Sequence, residues 1–311
     1  LEFRRVLFRS PHLSLRDPIL WRIIRLMLPR VAGLGVFSLN FIVMNNIASR
    51  LGEGSVSALD WGWRLMQIPQ TLIGTAMGTV IFPTLAALSE MGDESGKREA
   101  MSGALRFIMI ASIPSAIGLV MIGQPLISLL ERGAFDASAS VLVYATLRAF
   151  TLGLIVHSML EVIARSFYAD KDTLTPLWAA LIGAGVNLGL SYALSGVMQV
   201  EQMRVFNWVA RSVPELGFLP NLGNVSGLAL ANSIGVMCEV AFLMWILRGR
   251  WHGISENTLA MTTAKTLVAS LVMALVVAGI EFAWGVLGFA ERGIIFTIAQ
   301  IGIQATLGVL A

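Results

Sequence analysis

Long apolar runs recur along the chain and are separated by short polar stretches. A helix needs about 20 apolar residues to cross the hydrocarbon core of a membrane. Eight runs approach or exceed that length: 26–49, 58–88, 105–130, 141–169, 175–198, 225–247, 262–287 and 293–311. Unbroken runs of this kind exclude a membrane β-barrel. The pattern therefore predicts an all-α, polytopic membrane helix bundle with about eight transmembrane helices.

Composition excludes several other classes of protein. The 311 residues are 56% hydrophobic and 13% charged, whereas soluble proteins carry about 25% charged residues. A net charge of +3 without a basic, aromatic-rich polar face argues against a nucleic-acid partner. Cys238 is the single cysteine, and His12, His157 and His252 are too dispersed for a metal site. Because the loops are too short for a catalytic domain, we expect neither an enzyme nor a cofactor, apart from a coupling proton or monovalent cation.

The chain divides into four parts. Residues 1–10 contain charged residues and no small-residue cleavage site, so we interpret them as a non-native leader. Residues 11–25 mix arginine with isoleucine and leucine, as a basic amphipathic helix at the inner membrane interface does. Residues 26–247 hold six predicted spans, and 262–311 hold two more. The last span stops inside an apolar run, so we expect a fragment of a longer protein.

Lysine and arginine are distributed unequally between the two sides of the predicted bundle. If the first span begins inside the cell, 15 of these residues lie on the inner side and 5 on the outer side. Without residues 1–10 the count is 12 against 5, so the positive-inside rule gives the same orientation. Arg64 and Arg148 remain within the membrane.

Prolines and glycines predict local features of the spans. Several long runs contain prolines that should kink or break their helices: Pro69, Pro83, Pro114 and Pro125. Two pairs of glycines at four-residue spacing allow close helix packing: Gly74 with Gly78, and Gly185 with Gly189.

The second span carries a polar stripe. At 100° per residue, Asp60, Arg64, Gln67, Thr71 and Thr75 fall within an arc of about 80° on an otherwise apolar helix. Such a stripe faces protein or water. Either it lines a cavity, or it is a packed seam sealed by an Asp60–Arg64 pair. The planar guanidinium of Arg64 can bind a phosphate or carboxylate through two hydrogen bonds.

Other polar residues within the spans are candidates for proton or ion coupling. In the fourth span, His157, Glu161 and Arg165 follow one another at four-residue steps, which fits either a simple i,i+4 ladder or a proton relay through His157 and Glu161. In the fifth span, Asn187 and Ser191 share a face, where they can coordinate a cation or make interhelical hydrogen bonds.

Glu239 in the sixth span is an isolated carboxyl group. It adds a further candidate for coupling, and its partner cannot be read from the sequence.

Three segments carry a family resemblance. These are Asp17 to Asn40 (DPILWRIIRLMLPRVAGLGVFSLN), Ala48 to Pro69 (ASRLGEGSVSALDWGWRLMQIP) with the continuation GTAMGTVIFPTLA, and Ala164 to Pro176 (ARSFYADKDTLTP). In this order and spacing they resemble the MurJ (MviN) family of lipid II flippases, within the multidrug, oligosaccharidyl-lipid and polysaccharide exporter superfamily.

The resemblance implies a fourteen-helix fold with two six-helix lobes and a final helix pair. Residues 26–247 then correspond to the second lobe and 262–311 to the final pair, and the N-terminal lobe becomes a missing partner. The family's cavity arginine corresponds to Arg64, which lies on the stripe found above. Many members have aspartate directly before that arginine, where this chain has Trp63. We expect Asp60 to provide the counter-charge one turn earlier.

The resemblance also implies a function. The intact protein would move a polyprenyl-diphosphate-linked peptidoglycan precursor across the bacterial cytoplasmic membrane by alternating access, in contact with membrane lipids. Arg64, Asp60, Gln67 and Thr71 would bind the substrate. The alternatives are a flippase for another polyprenyl-linked oligosaccharide, a drug/cation antiporter that depends on Glu161 or Glu239, and a membrane scaffold that transports nothing.

Overall fold

The computed structural model describes residues 18–129, 131, 135–195, 225–251, 253 and 256–286. Its regular elements in these ranges are helices. In chain order they are α1 (Pro18–Ala48), α2 (Ser55–Gln70), a π-helical turn (Thr71–Thr75), α3 (Ala76–Met91), α4 (Glu94–Ser128), α5 (Ala137–Ala169), α6 (Leu174–Leu194), α7 (Val225–Arg250) and α8 (Glu256–Val286).

Seven helical segments in the described part of the chain are long and apolar enough to cross a membrane. Each contains most of one predicted span, and α2, the π turn and α3 together form the second, Ser55–Met91. The all-α fold class is therefore confirmed. The predicted eighth span at 293–311, the leader at 1–10 and the outer loop at 199–224 lie outside the described residues.

The first helix is longer at its start than the apolar run alone predicted. It begins at Pro18 and continues without interruption to Ala48. Proline favours the first position of a helix, and the helix runs through Arg25 and Leu26 without a break. The basic stretch up to Arg25 is therefore continuous with the first span, and its position at a membrane interface stays a prediction.

Within the described ranges, Pro69 is the one predicted proline beside an interruption, since the π turn Thr71–Thr75 begins two residues after it. Pro83 lies inside α3, and Pro114 and Pro125 lie inside α4, so the helices are not broken at these three prolines. Proline removes a backbone hydrogen bond in the turn before it, whereas the π turn adds one residue to the turn that follows Pro69. The second span thus changes its helical phase near its middle.

The core of the bundle is built around α5. This helix packs against α2, α3, α4 and α7, while α6 packs against α7 and α1. Two clusters of buried apolar residues follow it along the bundle, one around Phe150 and Leu154 near the predicted outer side and one around Ile163 and Phe167 near the inner side. Exposed apolar residues cover the outward faces of α1 and α8, as expected where helices contact lipid.

Glycine allows close approach at some of the predicted positions. A Cβ atom at Gly74 would lie 2.7 Å from the Ser158 Cα atom, and one at Gly78 would overlap the Arg165 guanidinium. In contrast, a Cβ atom at Gly185 or Gly189 would meet no heavy atom of the described residues within 4 Å. The first pair packs closely as predicted. The prediction for the second pair is wrong, because the close contact of α6 with α7 lies at Gly183 instead.

Ion pairs join several helix ends on the predicted inner side. Lys97 Nζ lies 2.9 Å from Asp170 Oδ1, and the Ser89 hydroxyl donates to the same oxygen at 2.6 Å. Two residues further on, Asp172 accepts from Arg250 and from the hydroxyl and backbone N–H of Thr175. Through Asp170, these bonds connect the end of α3 and the start of α4 with the α5–α6 loop. Through Asp172, they connect the same loop with the end of α7.

Candidate substrate-binding surface

The polar stripe of α2 lies on the side of the helix that faces away from the core. Residues that pack toward α5, including Leu59, Gly62 and Met66, are buried. The Arg64 side chain, in contrast, is 66% exposed and that of Asp60 is 42% exposed. Gln67 and Thr71 are also exposed. The four predicted substrate-binding residues therefore share one open face of the described structure.

Arg64 and Asp60 form an ion pair on this face. The Arg64 Nε atom donates to Asp60 Oδ2 at 2.9 Å, across one turn of helix. The sequence left open whether the stripe lines a cavity or is a packed seam sealed by this pair. The structure contains the pair, but no described helix packs over it.

Thr75 departs from the stripe. The angular argument assumed a regular α-helix through this position, and the π turn Thr71–Thr75 breaks that regularity. Thr75 is half-buried, and its carbonyl oxygen accepts a hydrogen bond from Arg165 Nη1 at 3.3 Å. The open polar face thus ends at Thr71, where the π turn begins.

Trp63 connects α2 with two other helices. Its ring centroid lies 6.1 Å from those of Phe37 and Phe41 in α1 and 5.3 Å from that of Phe150 in α5. It also makes an edge contact with His157, at 5.2 Å between ring centroids. The sequence analysis noted Trp63 only as the residue that stands where many family members have aspartate. It missed this cluster, because the partners of Trp63 come from distant parts of the chain.

The predicted ladder in α5 separates into two sets of partners. Glu161 pairs with Arg165, with Oε2 3.3 Å from Nη2. His157 is buried, and its Nε2 atom lies 3.2 Å from Asn232 Oδ1 in α7. Thus the structure brings His157 to α2 and α7 and not to Glu161.

Asn187 and Ser191 are buried together between α6 and α1. The Ser191 hydroxyl donates to Asn187 Oδ1 at 3.0 Å, and the Asn187 amide nitrogen lies 3.3 Å from the Met44 sulfur. The Ser191–Asn187 bond lies within α6, whereas the Asn187–Met44 contact is interhelical, as one of the two alternatives expected. A role in cation coupling stays a prediction.

Glu239 lies at the crossing of α7 with α6. A Cβ atom at Gly183 would lie 3.1 Å from both the Cβ and an oxygen of Glu239, so glycine leaves the space that the carboxyl group occupies. Glu239 is half-buried and makes no ion pair within the described ranges. The structure therefore keeps it as a coupling candidate, separate from the α2 stripe.

An open cavity elsewhere does not include the stripe. It has a volume of about 880 Å³ and lies where α7 ends and α8 begins, between Trp245, Arg248 and Glu256. The Arg248 guanidinium is already paired with Glu256 at 2.9 Å. In the part of the chain that the structure describes, no cluster of three histidine, cysteine or carboxylate side chains suits a metal ion.

Comparison with known proteins identifies the family. A family model described as "Lipid II flippase MurJ" matches residues 2–293. The chain belongs to the MurJ lipid II flippase family. It is 31% identical over 242 residues to the lipid II flippase MurJ of Burkholderia cenocepacia, covering 78% of this chain and 42% of that protein. It is 34% identical over 189 residues to the probable lipid II flippase MurJ of Haemophilus influenzae, covering 58% of this chain and 37% of that protein.

Solved structures agree with this MurJ assignment at the level of the fold. A lipid II flippase MurJ in an inward closed conformation superposes with a TM-score of 0.65 at 23% identity, covering 98% of this chain and 57% of that one. An outward-facing multidrug resistance transporter of the MATE family gives a TM-score of 0.57 at 17% identity, covering 92% and 61%.

The MurJ family is one of transporters of the bacterial inner membrane. The described ranges hold seven helices that are long and apolar enough to cross it, as expected of a multi-pass membrane protein. The chain spans less than half the length of the curated relatives from Burkholderia cenocepacia and Haemophilus influenzae.

Proposed function

We propose that the protein to which this chain contributes moves lipid II from the inner to the outer leaflet by alternating access. The observation that carries this proposal is the placement of Arg64, an arginine at membrane depth on an open polar face, in a chain of the MurJ family. A charged side chain within a membrane span is costly unless it serves a function, and binding an anion that passes through the protein is such a function. The diphosphate of a polyprenyl-linked precursor is such an anion.

The Asp60–Arg64 pair suits a site that must bind and release. Asp60 contacts the Nε atom, which leaves the two terminal nitrogens of Arg64 for the oxygens of a diphosphate. Between transport cycles the carboxylate compensates the guanidinium charge. During transport, charge-assisted hydrogen bonds from Arg64 offset the cost of removing the diphosphate from water.

Gln67 and Thr71 extend the surface by neutral hydrogen-bonding groups. They follow Arg64 on the same open face, toward the predicted inner side. The headgroup of lipid II carries sugars and a peptide, which have many hydrogen-bond donors and acceptors. We assign these two side chains to weak, exchangeable contacts with that headgroup.

The test compares Arg64→Ala and Arg64→Lys with Arg98→Ala in the complete protein. Arg98 is exposed in α4 and lies off the stripe, so Arg98→Ala is a matched control that removes one arginine from another surface. Loss of a charge-assisted hydrogen bond costs about 1.5–3 kcal/mol, or roughly a tenfold to hundredfold loss of transport. We expect Arg64→Ala to lose lipid II transport in proteoliposomes and to fail to support growth. Arg64→Lys should retain part of the activity, and Arg98→Ala nearly all of it.

Normal growth and transport with Arg64→Ala, at equal expression, would remove Arg64 from the mechanism. The drug/cation antiporter alternative has its own support in the unpaired Glu239. If Glu239→Gln stopped transport of a cationic drug while Arg64→Ala left it unchanged, the antiporter would replace the flippase proposal.

A further inference from the structure

His157 is an ionisable side chain buried in the seam where α5 meets α2 and α7. It is 8% exposed. Its Nε2 atom lies 3.2 Å from Asn232 Oδ1, and its ring contacts Trp63 at 5.2 Å between centroids, with the planes at 73°. One turn earlier, Gly153 lets α7 approach so closely that a Cβ atom there would lie 2.6 Å from the Ser233 hydroxyl. The imidazole is therefore held from two sides.

The contacts of His157 define its protonation chemistry. The Asn232 amide oxygen can only accept, so Nε2 carries the ring proton and donates it. In the described ranges the structure records no hydrogen bond to Nδ1. A second proton would bind there and convert the ring to an imidazolium ion.

The groups that contact His157 are uncharged. They are Trp63 from α2 and Asn232 from α7. The charged side chains on the three helices of the seam are Asp60 and Arg64 on α2; Arg148, Glu161 and Arg165 on α5; and Glu239, Arg248 and Arg250 on α7. Tyr144, Tyr168 and Cys238 on these helices are also titratable. Glu161 is already paired with Arg165. The charge that His157 would sense on α2 is thus set by Asp60, Arg64 and whatever binds them.

Trp63 and Arg64 place the two functions on different faces of one helix. They are consecutive in α2 and so about 100° apart around its axis. Trp63 contacts His157 in the seam, while Arg64 faces the open surface. An anion at Arg64 would bring negative charge to the helix that covers the imidazole. That charge favours an imidazolium ion at position 157, and the imidazolium ion favours the anion in return.

We infer that His157 is a proton-binding site whose occupancy is coupled, through Trp63, to anion binding at Arg64. A proton from solvent binds Nδ1 when the diphosphate binds, and it leaves when the diphosphate is released. The imidazolium ion also faces the Trp63 ring, an aromatic surface that attracts cations. The coupling rests on the proposed function, whereas the proton site does not.

The test uses tryptophan fluorescence, because an imidazolium ion quenches an indole that it contacts. In the complete protein in lipid nanodiscs, all tryptophans except Trp63 are replaced by phenylalanine. Emission should fall as the pH is lowered from about 8.5 to about 3.5, a range that covers the titration of both exposed and buried histidines. A second protein that retains only Trp61, which is exposed on α2, is the matched control and should not be quenched. His157→Gln should abolish the quenching of Trp63.

Two further measurements complete the test. Undecaprenyl diphosphate in the nanodisc should move the midpoint of the Trp63 titration upward by roughly one pH unit, a tenfold change in proton affinity. Asn232→Asp keeps His157 and adds a carboxylate beside it, so it should also raise the midpoint. This variant keeps the proposal testable if His157→Gln does not fold.

Several results would overturn the inference. They are a Trp63 emission that does not change with pH, quenching that persists in His157→Gln, and a midpoint that Asn232→Asp leaves unchanged. An unchanged midpoint when undecaprenyl diphosphate binds would end the coupling. If only the flippase proposal is wrong, the protein should transport no lipid II while His157 still titrates in the absence of ligand.

Discussion

The contact between Asp60 and Arg64 decides, at the scale of single residues, how much positive charge the α2 surface presents. The pair is exposed, so it contributes only about 0.3–0.5 kcal/mol to stability. Its larger effect is on binding, because Asp60 competes with any anion for the guanidinium. The same carboxylate would repel a diphosphate that binds next to it.

Asp60→Asn should therefore strengthen anion binding without changing the fold. We expect several-fold tighter binding of undecaprenyl diphosphate by the complete protein, together with slower release, because the guanidinium is no longer compensated. The thermal midpoint should stay nearly unchanged. Binding titrations should show the opposite change for Gln67→Glu, because this substitution adds a carboxylate to the face from which Asp60→Asn removes one. Weaker binding by Asp60→Asn would mean that Asp60 mainly orients Arg64.

The shared face of Asp60, Arg64 and Gln67 could be predicted from the sequence, but its exposure and the partners of His157 could not. From Ser55 to Gln70 the helix is regular, so angular spacing places Arg64 opposite the buried side. His157 meets Asn232, 75 residues further along the chain, and no local pattern indicates that pairing. Four-residue spacing instead suggested Glu161, whose carboxylate pairs with Arg165.

At the scale of elements, the π turn in the second span fixes where that span meets α5. Gly74 lies within the turn and packs against the backbone of Ser158, while Arg165 donates to the Thr75 carbonyl. The prolines predicted irregular helices, and Pro69 does precede a π turn. Because α4 tolerates Pro114 and Pro125 within one helix, the residue type alone does not determine which proline interrupts its helix.

Two glycine substitutions should separate close packing from helix propensity. Gly74→Ala places a Cβ atom 2.7 Å from the Ser158 Cα atom, a backbone atom that cannot move aside cheaply. We expect a loss of about 1–3 kcal/mol, as in other overpacked sites. Gly185→Ala meets nothing within 4 Å and should be neutral or stabilising by up to about 1 kcal/mol, since alanine favours helix. Thermal unfolding of the two variants in detergent measures the contrast, and equal midpoints would contradict it.

At the scale of the whole molecule, the seven spans that lie in the described ranges could be predicted, because length and apolarity define a candidate span. The arrangement of the helices was not. It depends on close contacts such as that of Gly183 with Gly235, and on ion pairs that connect distant loops. These contacts on the predicted inner side tie the ends of several helices into one unit.

The α5–α6 loop should make the stability of this unit depend on acid pH through Asp172. Burial alone would raise the pKa of its carboxyl group, but the hydrogen bonds from Thr175 and the Arg250 guanidinium outweigh it and hold the pKa below the ordinary 3.8. The folded state thus favours the carboxylate. The stability that results is fully present above pH 3.8 and is lost as the pH falls through the lower value of the folded protein.

Asp172→Asn should therefore unfold at a lower temperature than the natural chain at neutral pH. The two curves should converge at acid pH, once the pH lies below the lowered pKa of the folded protein and the carboxylate is protonated in both states. Arg250→Gln removes only one of the groups that lower the pKa of Asp172, so its loss of thermal stability at neutral pH should be smaller. Thermal midpoints of the complete protein in detergent between neutral and acid pH provide the measurement. A difference between the natural chain and Asp172→Asn that stays constant with pH would show that the loop is held by packing, with no contribution from the charge of Asp172.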